Sequence, residues 1–253
     1  MKTLKGTQAM IFAAGLGSRL KPMTDTMPKA LVEIEGITLL EYAIRKLKFY
    51  GITDISINVH HFGEQIIDFV QRHNFDVRFH ISDEGEQLMN TGGGLLKAQE
   101  FFNREKPIIV LNVDIISSID LATMYEYHCN SDALATLAVR NRNTSRYLLF
   151  DTENQLCGWE NCETKKQIFA RPKHYADLHQ KAFSGIQILS PQIFDLMSET
   201  GAFSIIDMYV RLAQTQQIQA FEHNDDFWID VGKFDSLQEI TQSLHAQKFD
   251  FIA

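Results

Sequence analysis

Apolar stretches alternate with amphipathic stretches through the first half of the chain. The predicted strands are 8–14 (QAMIFAA), 54–59 (DISINV), 77–81 (VRFHI) and 107–113 (PIIVLNV). The predicted helices, each with one apolar face, are 38–51, 63–73 and 93–102. In the first of them, Thr38 and Glu41 form a capping-box pattern and Gly51 ends the helix. This alternation is typical of a mostly parallel sheet with helices on both faces.

The second half of the chain has shorter strand-like runs separated by polar breaks, which predicts an antiparallel subregion. These runs are 132–139, 146–150, 155–159, 167–170 and 181–189. Ser204 and Asp207 predict the start of a helix, FWIDVG at 227–232 follows, and a last helix is predicted from about Asp235. Because no Pro/Ser-rich linker or repeat interrupts the chain, we expect a single domain over 1–253, divided at about residue 130.

Composition narrows the classes of partner. The 253 residues are 45% hydrophobic and carry a formal net charge of -8, which argues against nucleic acid and anionic membranes as partners. No apolar run reaches the roughly 20 residues of a membrane helix. Cys129, Cys157 and Cys162 are odd in number and contain no CxxC pair, which favours a reduced, cytoplasmic setting. A small anionic substrate remains compatible with this composition, since a few local cations suffice.

The stretch MIFAAGLGSRLKPMTDTMPKAL at 10–31 predicts a phosphate-binding loop after the first strand. A Walker A loop needs GxxxxGK[ST], which is absent. A dinucleotide fingerprint needs an unbroken helix between its loop and a ribose-binding acid such as Glu33 or Glu35, and Pro22 and Pro28 interrupt it.

A third interpretation uses every residue of the stretch. Small residues let backbone N–H groups approach a triphosphate; they are Ala13, Ala14, Gly15, Gly17 and Ser18. Arg19 offers a planar fork for phosphate oxygens, and the proline-punctuated segment returns Lys29 to the same phosphates. We therefore predict that Arg19 and Lys29 are catalytic cations.

The ungapped string at 13–31 resembles the signature A-A-G-x-G-[ST]-R-L-x-P-x-T-x-x-x-P-K-x-L of the sugar-1-phosphate nucleotidylyltransferases. This resemblance implies an α/β fold of Rossmann-like, three-layer α/β/α type, with a mostly parallel central sheet and a small antiparallel subregion facing the substrate. It also implies a nucleotide-binding part at about 1–130 and a sugar-phosphate-binding part at about 131–253. The partners would be an NTP and a sugar 1-phosphate, and a homo-oligomer is compatible with the sequence.

The same resemblance implies Mg2+ as cofactor. Asp114 follows the apolar strand at 107–113 and Asp230 lies in FWIDVG, where the family has N-G-D and W-x-D-V-G. Carried across, Asp114 and Asp230 become the metal ligands. The family glycine before the first aspartate is Val113 here, which places a side chain near the nucleotide.

Two glycine motifs resemble further parts of the family's site. In NTGGGLLKA, Gly92 and Gly93 are expected to precede a helix and to contact the nucleotide. Asn112 and Gly185, the second in AFSGIQIL, are expected to contact substrate.

The prediction of the exact substrates rests on a motif that this chain lacks. Many relatives carry an E-K-P run whose lysine contacts the sugar phosphate, and this chain lacks it. Basic residues in the corresponding region are Lys165, Lys166, Arg171 and Lys173. The uridylyltransferases of N-acetylmuramate 1-phosphate also lack the run and share the TGGG segment, which favours UTP and that sugar. The alternatives are a mannose- or heptose-1-phosphate guanylyltransferase and a non-catalytic nucleotide-sensing subunit.

Overall fold

The computed structural model describes residues 3–170, 177–232 and 241–242. The strands are β1 (Gln8–Phe12), β2 (Glu33–Ile34), β3 (Ile37–Thr38), β4 (Asp54–Val59), β5 (Arg78–Asp83), β6 (Ile108–Asn112), β7 (Ile115–Ser117), β8 (Ala135–Arg140), β9 (Arg146–Phe150), β10 (Leu156–Asn161), β11 (Lys166–Phe169), β12 (His179–Leu189), β13 (Ile218–Glu222) and β14 (Trp228–Asp230). The α-helices are α1 (Leu39–Phe49), α2 (Gly63–Arg72), α3 (Asn90–Lys97), α4 (Leu121–Cys129), α5 (Ile193–Leu196) and α6 (Ile205–Leu212). The helix predicted from about Asp235 lies outside the described residues.

One mixed sheet organises the chain, in the order β11-β10-β9-β12-β6-β1-β4-β5, with β8 on β12 and β13 on β8. The first half supplies the parallel block β6-β1-β4-β5. The second half supplies antiparallel strands, beginning where β12 runs against β6. The predicted α/β fold class, including its antiparallel subregion, is therefore confirmed.

Alternation along the central strands builds a core on each face of the sheet. In β1, Ala9 and Ile11 enter one core, together with the buried faces of α1 and α2. Met10 and Phe12 enter the other core, with buried residues of α3 and α6. Because successive side chains of a strand point to opposite faces, a fully apolar β1 requires cover on both sides.

Helix α1 begins where the sequence predicted it. The Thr38 hydroxyl accepts a hydrogen bond from the Glu41 N–H at 3.1 Å, as an N-cap residue does. Strands β7 and β13, helix α4 and the β2–β3 hairpin were not predicted. Helix α4 carries apolar or aromatic residues around most of its circumference, so its sequence shows no clear amphipathic period.

In the described ranges, no helix combines the length and the apolar character that a bilayer crossing needs.

A buried lysine ties α1 to β7. Lys46 Nζ donates to the Ser117 carbonyl at 2.6 Å and contacts the Ser117 hydroxyl at 2.8 Å. Burial lowers the pKa of Lys46 to about 7. The contact thus holds helix α1 against the last residue of β7.

This lysine predicts a pH dependence of stability. Above pH 7 the folded chain holds Lys46 neutral, whereas the unfolded chain keeps it protonated up to the ordinary pKa of 10.5. The unfolded state then binds more protons, so the free energy of unfolding rises with pH, by up to roughly 1.4 kcal/mol per unit. We expect Lys46→Met to remove this rise in urea unfolding between pH 7 and 9.

The matched control is Lys48→Met, on the same helix and with a side chain 35% exposed, which should keep the wild-type slope. A Lys46→Met protein with the wild-type slope would contradict the prediction.

Candidate active site

The loop after β1 is closed by the segment that follows it. Gly17 has a φ of 64°, and a Cβ there would lie 2.8 Å from Thr24 Cγ2 and 3.0 Å from Lys29 Cβ. The Thr24 hydroxyl donates to the Gly17 carbonyl at 2.9 Å. Leu20, between them, is fully buried. The segment after the loop thus packs back on it, as the sequence predicted, and this packing sets where Lys29 emerges.

The two predicted metal ligands are brought together by strand pairing. Asp114 lies between β6 and β7, and β14 pairs antiparallel with β7 so that Asp230 faces Ile115. The Val231 N–H donates to the Asp114 carbonyl at 2.9 Å. Residues 116 positions apart in the chain therefore become neighbours at the end of the central strand β6.

The predicted cations meet these carboxylates. Lys29 Nζ forms an ion pair with Asp114 Oδ2, and the two side chains are only 10% and 16% exposed. Gly232 locates the rest of the cluster. A Cβ on Gly232 would lie 2.6 Å from Asp230 Oδ1, 2.9 Å from Lys29 Nζ and 3.0 Å from Arg19 Nη2. Both cations and both carboxylates are thus gathered around a residue without a side chain.

The donor set at this cluster fits Mg2+. Asp114 uses Oδ2 for Lys29, and Asp230 uses Oδ1 to accept the Gly232 N–H at 2.7 Å. Within the described residues, the other oxygen of each carboxylate has no hydrogen-bond partner. No group of three or more acidic, histidine or cysteine side chains forms a metal site in the described ranges. Two carboxylates suit Mg2+, which usually keeps waters and takes further oxygens from substrate phosphates.

Two clefts flank the charged cluster. The first has a volume of about 390 Å3 and is lined by Phe12, Ala13, Ala14, Gly15, Lys29, Asn58, Glu84, Leu88, Asn90, Thr91, Asn112, Val113, Asp114 and Ser204. The second has a volume of about 320 Å3 and is lined by Arg142, Thr144, Arg146, Tyr147, Leu148, Trp159, Phe183, Ser204, Ile206, Asp207 and Asp230. Ser204 lines both, and each cleft contains one of the paired aspartates.

The predicted site residues separate into those that line a cleft and those that do not. The first cleft contains Ala13, Ala14, Gly15, Lys29, Asn112 and Asp114, and the second contains Asp230. The predicted residues that line neither cleft are Gly17, Ser18, Arg19, Gly92, Gly93 and Gly185. Arg19 nonetheless belongs to the charged cluster, because its Nη2 would lie 3.0 Å from a Cβ on Gly232.

The prediction that Gly92 and Gly93 precede a helix is wrong, because both lie inside α3, which begins at Asn90. A Cβ on Gly92 would lie 2.3 Å from the Phe203 ring, and one on Gly93 would lie 2.4 Å from the Gly201 carbonyl oxygen. These glycines let α3 pack closely against the segment before α6. Their predicted contact with nucleotide stays a prediction.

Asn112 and Gly185 lie side by side where β12 passes β6. Gly185 has a φ of 73°, and a Cβ there would lie 2.8 Å from Ile115 Cγ1 and 3.0 Å from Asn112 Nδ2. The pairing of β12 with β8 is irregular between Phe183 and Gln187. The lack of a side chain at Gly185 therefore leaves room for Asn112 and Ile115, and Phe183 lines the second cleft.

A buried polar network in the wall of the first cleft was missed by sequence reasoning. Asn58 Oδ1 accepts the Ala13 N–H at 2.8 Å, and Asn58 Nδ2 donates to Glu84 Oε1 at 2.7 Å. Glu84 Oε2 accepts the Met89 N–H at 2.7 Å. The signal was the alternation of polar and apolar residues in DISINV, because a polar side chain such as Asn58 needs partners where the strand is buried.

Val113, which stands where the sequence signature has a glycine, lines the first cleft and is 5% exposed. Its N–H donates to the Phe12 carbonyl at 3.1 Å. The expected position of this side chain beside the site is therefore observed.

The sequence pattern of the family described as Nucleotidyl transferase matches residues 8–247. The chain belongs to this family. The family resemblance stated from the sequence is thereby confirmed.

Individual relatives of this nucleotidyl transferase are distant. The chain is 28% identical to the N-acetylmuramate alpha-1-phosphate uridylyltransferase of Caulobacter vibrioides, covering 88% of this chain and 91% of that protein. It is 26% identical to the mannose-1-phosphate guanyltransferase of Schizosaccharomyces pombe, covering 89% of this chain and 61% of that protein. The chain spans about 60% of the length of several curated relatives that it matches.

The fold is shared with a crystallised putative glucose-1-phosphate thymidylyltransferase from Bacillus anthracis in complex with a sucrose. The TM-score is 0.78 at 21% identity, and the superposition covers 96% of this chain and 97% of the other.

The buried network predicts a stability effect in this nucleotidyl transferase. Asn58→Ala leaves the Ala13 N–H and Glu84 Oε1 without their partner, which should lower the free energy of unfolding by about 1–3 kcal/mol. Urea unfolding measures this loss. Ser56→Ala, on the same buried strand and outside the network, is the comparison. Equal effects of the two substitutions would contradict the role given to Asn58.

Proposed function

We propose that this chain transfers a nucleotidyl group from an NTP to a sugar 1-phosphate, releasing pyrophosphate and an NDP-sugar. The observation that carries the proposal is the cluster of Arg19, Lys29, Asp114 and Asp230 around Gly232. It lies between two clefts, and a reaction of two substrates at one phosphorus atom needs such an arrangement.

The first cleft fits the NTP. Its wall begins with the small residues Ala13, Ala14 and Gly15, which follow β1 and leave room for phosphates beside the backbone. Lys29 is anchored by Asp114 and faces the same cleft. We assign to Arg19 the departing pyrophosphate and to Lys29 the reacting phosphates. Gly17 and Ser18 shape the loop that carries Arg19, while Gly92 and Gly93 hold α3 against the 201–203 segment.

The reaction proceeds by in-line displacement. An oxygen of the sugar 1-phosphate forms a bond to the α-phosphorus, and the bond from that phosphorus to the bridging oxygen of pyrophosphate breaks. The attacking oxygen is already ionised at neutral pH, so no general base is required. The chain contributes positioning and charge stabilisation through its two cations.

Asp114 and Asp230 would hold Mg2+, each through an oxygen that the described residues leave without a hydrogen bond. When bound, the ion supplies positive charge against the phosphate oxygens. The requirement for this cofactor is part of the proposal.

The second cleft fits a sugar. Trp159 and Phe183 give it apolar faces, and Thr144, Tyr147 and Asp207 give it hydroxyl and carboxylate groups for hydrogen bonds. We place Asn112 and Gly185 at the boundary of the two clefts, beside the sugar. The chain then works as one domain over 1–253, with nucleotide bound mainly by residues up to about 130 and sugar phosphate by the remainder.

For the exact substrates we favour UTP and N-acetylmuramate 1-phosphate. Two uridylyltransferases named for this sugar match over 91% and 96% of their own lengths. The second cleft also contains two guanidinium groups, Arg142 and Arg146. One is sufficient for a phosphate, and a second suits a carboxylate such as that of the lactyl group on this sugar. A mannose- or heptose-1-phosphate guanylyltransferase is the alternative, and relatives named mannose-1-phosphate guanyltransferase support the mannose form.

A nucleotide-sensing subunit without catalysis is the remaining alternative. Loss of either cation or either carboxylate would support it, and all four are present in one cluster. We place the enzyme in the cytoplasm, with no nucleic-acid or membrane partner, and leave a homo-oligomer open.

Removal of one carboxylate tests the reaction. Asp114→Asn should lower Mg2+-dependent pyrophosphate release at least about 100-fold, since it removes both a metal ligand and the anchor of Lys29. Circular dichroism should show an intact fold. Asp132→Asn changes an exposed carboxylate outside both clefts and should keep full activity. Wild-type turnover by Asp114→Asn would refute the assignment.

A substrate panel tests the sugar and the base. Pyrophosphate release is measured with UTP, GTP, dTTP or CTP against N-acetylmuramate, N-acetylglucosamine, mannose and heptose 1-phosphates. The first two sugars differ by the lactyl carboxylate, so a preference for N-acetylmuramate of about 10-fold or more is expected if a guanidinium binds that group. A preference for GTP and mannose 1-phosphate would select the alternative. NTP binding without pyrophosphate release from any sugar would favour the sensing subunit.

A further inference from the structure

The second cleft needs a cation for the sugar phosphate, and the E-K-P lysine of many relatives is missing. Lys165 lies in the turn between β10 and β11, Lys166 begins β11, and neither lines the cleft. Arg171 and Lys173 fall outside the described residues. The cations that the structure places in the second cleft are Arg142 and Arg146.

Arg142 is positioned by the strand that carries Asp230. Its Cζ lies 4.7 Å from the centre of the Trp228 ring, and its Nη2 donates to the Phe183 carbonyl at 3.2 Å. Trp228 is itself fixed, since its Nε1 donates to the Ser184 carbonyl at 2.9 Å. Trp228 and Asp230 share a face of β14, because residues two apart in a strand point the same way. The Arg142 guanidinium is therefore held on the Asp230 side of the cleft.

The guanidinium has donors left to use. Nε is buried and has no hydrogen-bond partner among the described residues. A guanidinium carries five N–H groups. Among the described residues, the Phe183 carbonyl accepts one of them, from Nη2. Burial lowers the pKa of Arg142, and the nearby Asp230 carboxylate opposes that shift. Unsatisfied donors on a partly buried cation are costly, and an anion in the cleft would satisfy them.

We propose that Arg142 binds the 1-phosphate of the sugar substrate, beside Asp230 and opposite the nucleotide. The bond is a charge-assisted hydrogen bond from the guanidinium to phosphate oxygens that do not attack. The stack on Trp228 sets its orientation before substrate arrives. The identity of the phosphate rests on the proposed function, whereas the anion-binding role rests on the geometry of Arg142.

The test measures binding and turnover separately. Calorimetric titrations use glucose, mannose, N-acetylglucosamine and N-acetylmuramate 1-phosphates, with unphosphorylated N-acetylglucosamine as reference. Arg142→Gln should weaken binding of the best sugar 1-phosphate about 10- to 100-fold and raise its KM similarly, with the KM for NTP unchanged. Arg142→Lys should recover part of the affinity, because it restores the charge without the planar fork. Affinity for the unphosphorylated sugar, where measurable, should stay the same.

Arg140→Gln is the matched control. Arg140 lies 5.7 Å from the same Trp228 ring, but its Nη groups donate to the Asn224 and Asp226 carbonyls and it does not line the cleft. It should keep the wild-type affinity for sugar 1-phosphates.

Three outcomes would overturn the assignment: no sugar 1-phosphate binds the wild type, Arg142→Gln binds as the wild type does, or its KM for NTP rises equally. Binding that depends on Arg142 without any pyrophosphate release would support this assignment and count against the proposed function.

Discussion

The pairing of β7 with β14 is the constraint on which the site depends. It places Asp230 beside Asp114 and brings Gly232 against Lys29 and Arg19. Like-charged carboxylates brought together at low exposure would repel, and the Lys29 ammonium offsets that repulsion. The contacts thus support each other: strand pairing gathers the acids, and the returning loop segment supplies the cations. Removing either part leaves uncompensated charge at the end of β6.

A second consequence follows from the shortness of β14. Its three residues cannot add much hydrogen-bonding energy, yet alternate positions deliver the Asp230 carboxylate and the Trp228 ring to one face. Trp228 organises Arg142, and Asp230 borders both the charged cluster and the second cleft. The pairing is extended by a hydrogen bond beyond the strand ends, where the Ser118 N–H donates to the Phe227 carbonyl at 2.9 Å.

The glycines of the site act in ways that their sequence motifs did not reveal. Gly92 and Gly93 were expected to precede a helix, but both lie inside α3, where a Cβ would strike the chain before α6. The sequence marks Gly232 only as the last residue of FWIDVG, whereas in the structure the two cations and the two carboxylates lie around it. A glycine in sequence signals close approach without saying to what, and only the packed neighbours identify the partner.

The sequence by itself determined the parallel half of the sheet and the return of Lys29 to the loop of Arg19. It also pointed to Asp114 and Asp230 as the candidate metal ligands. Local sequence patterns indicate these features: continuous apolar runs, two nearby prolines and an ungapped motif. Only the tertiary structure decided which polar and charged side chains line the two clefts and which partners hold them. Asn58 and Glu84 are linked across 26 positions and Arg142 lies on Trp228 across 86, so no periodicity or spacing connects them. Their roles come from burial, which forces polar groups to find partners wherever the fold places them.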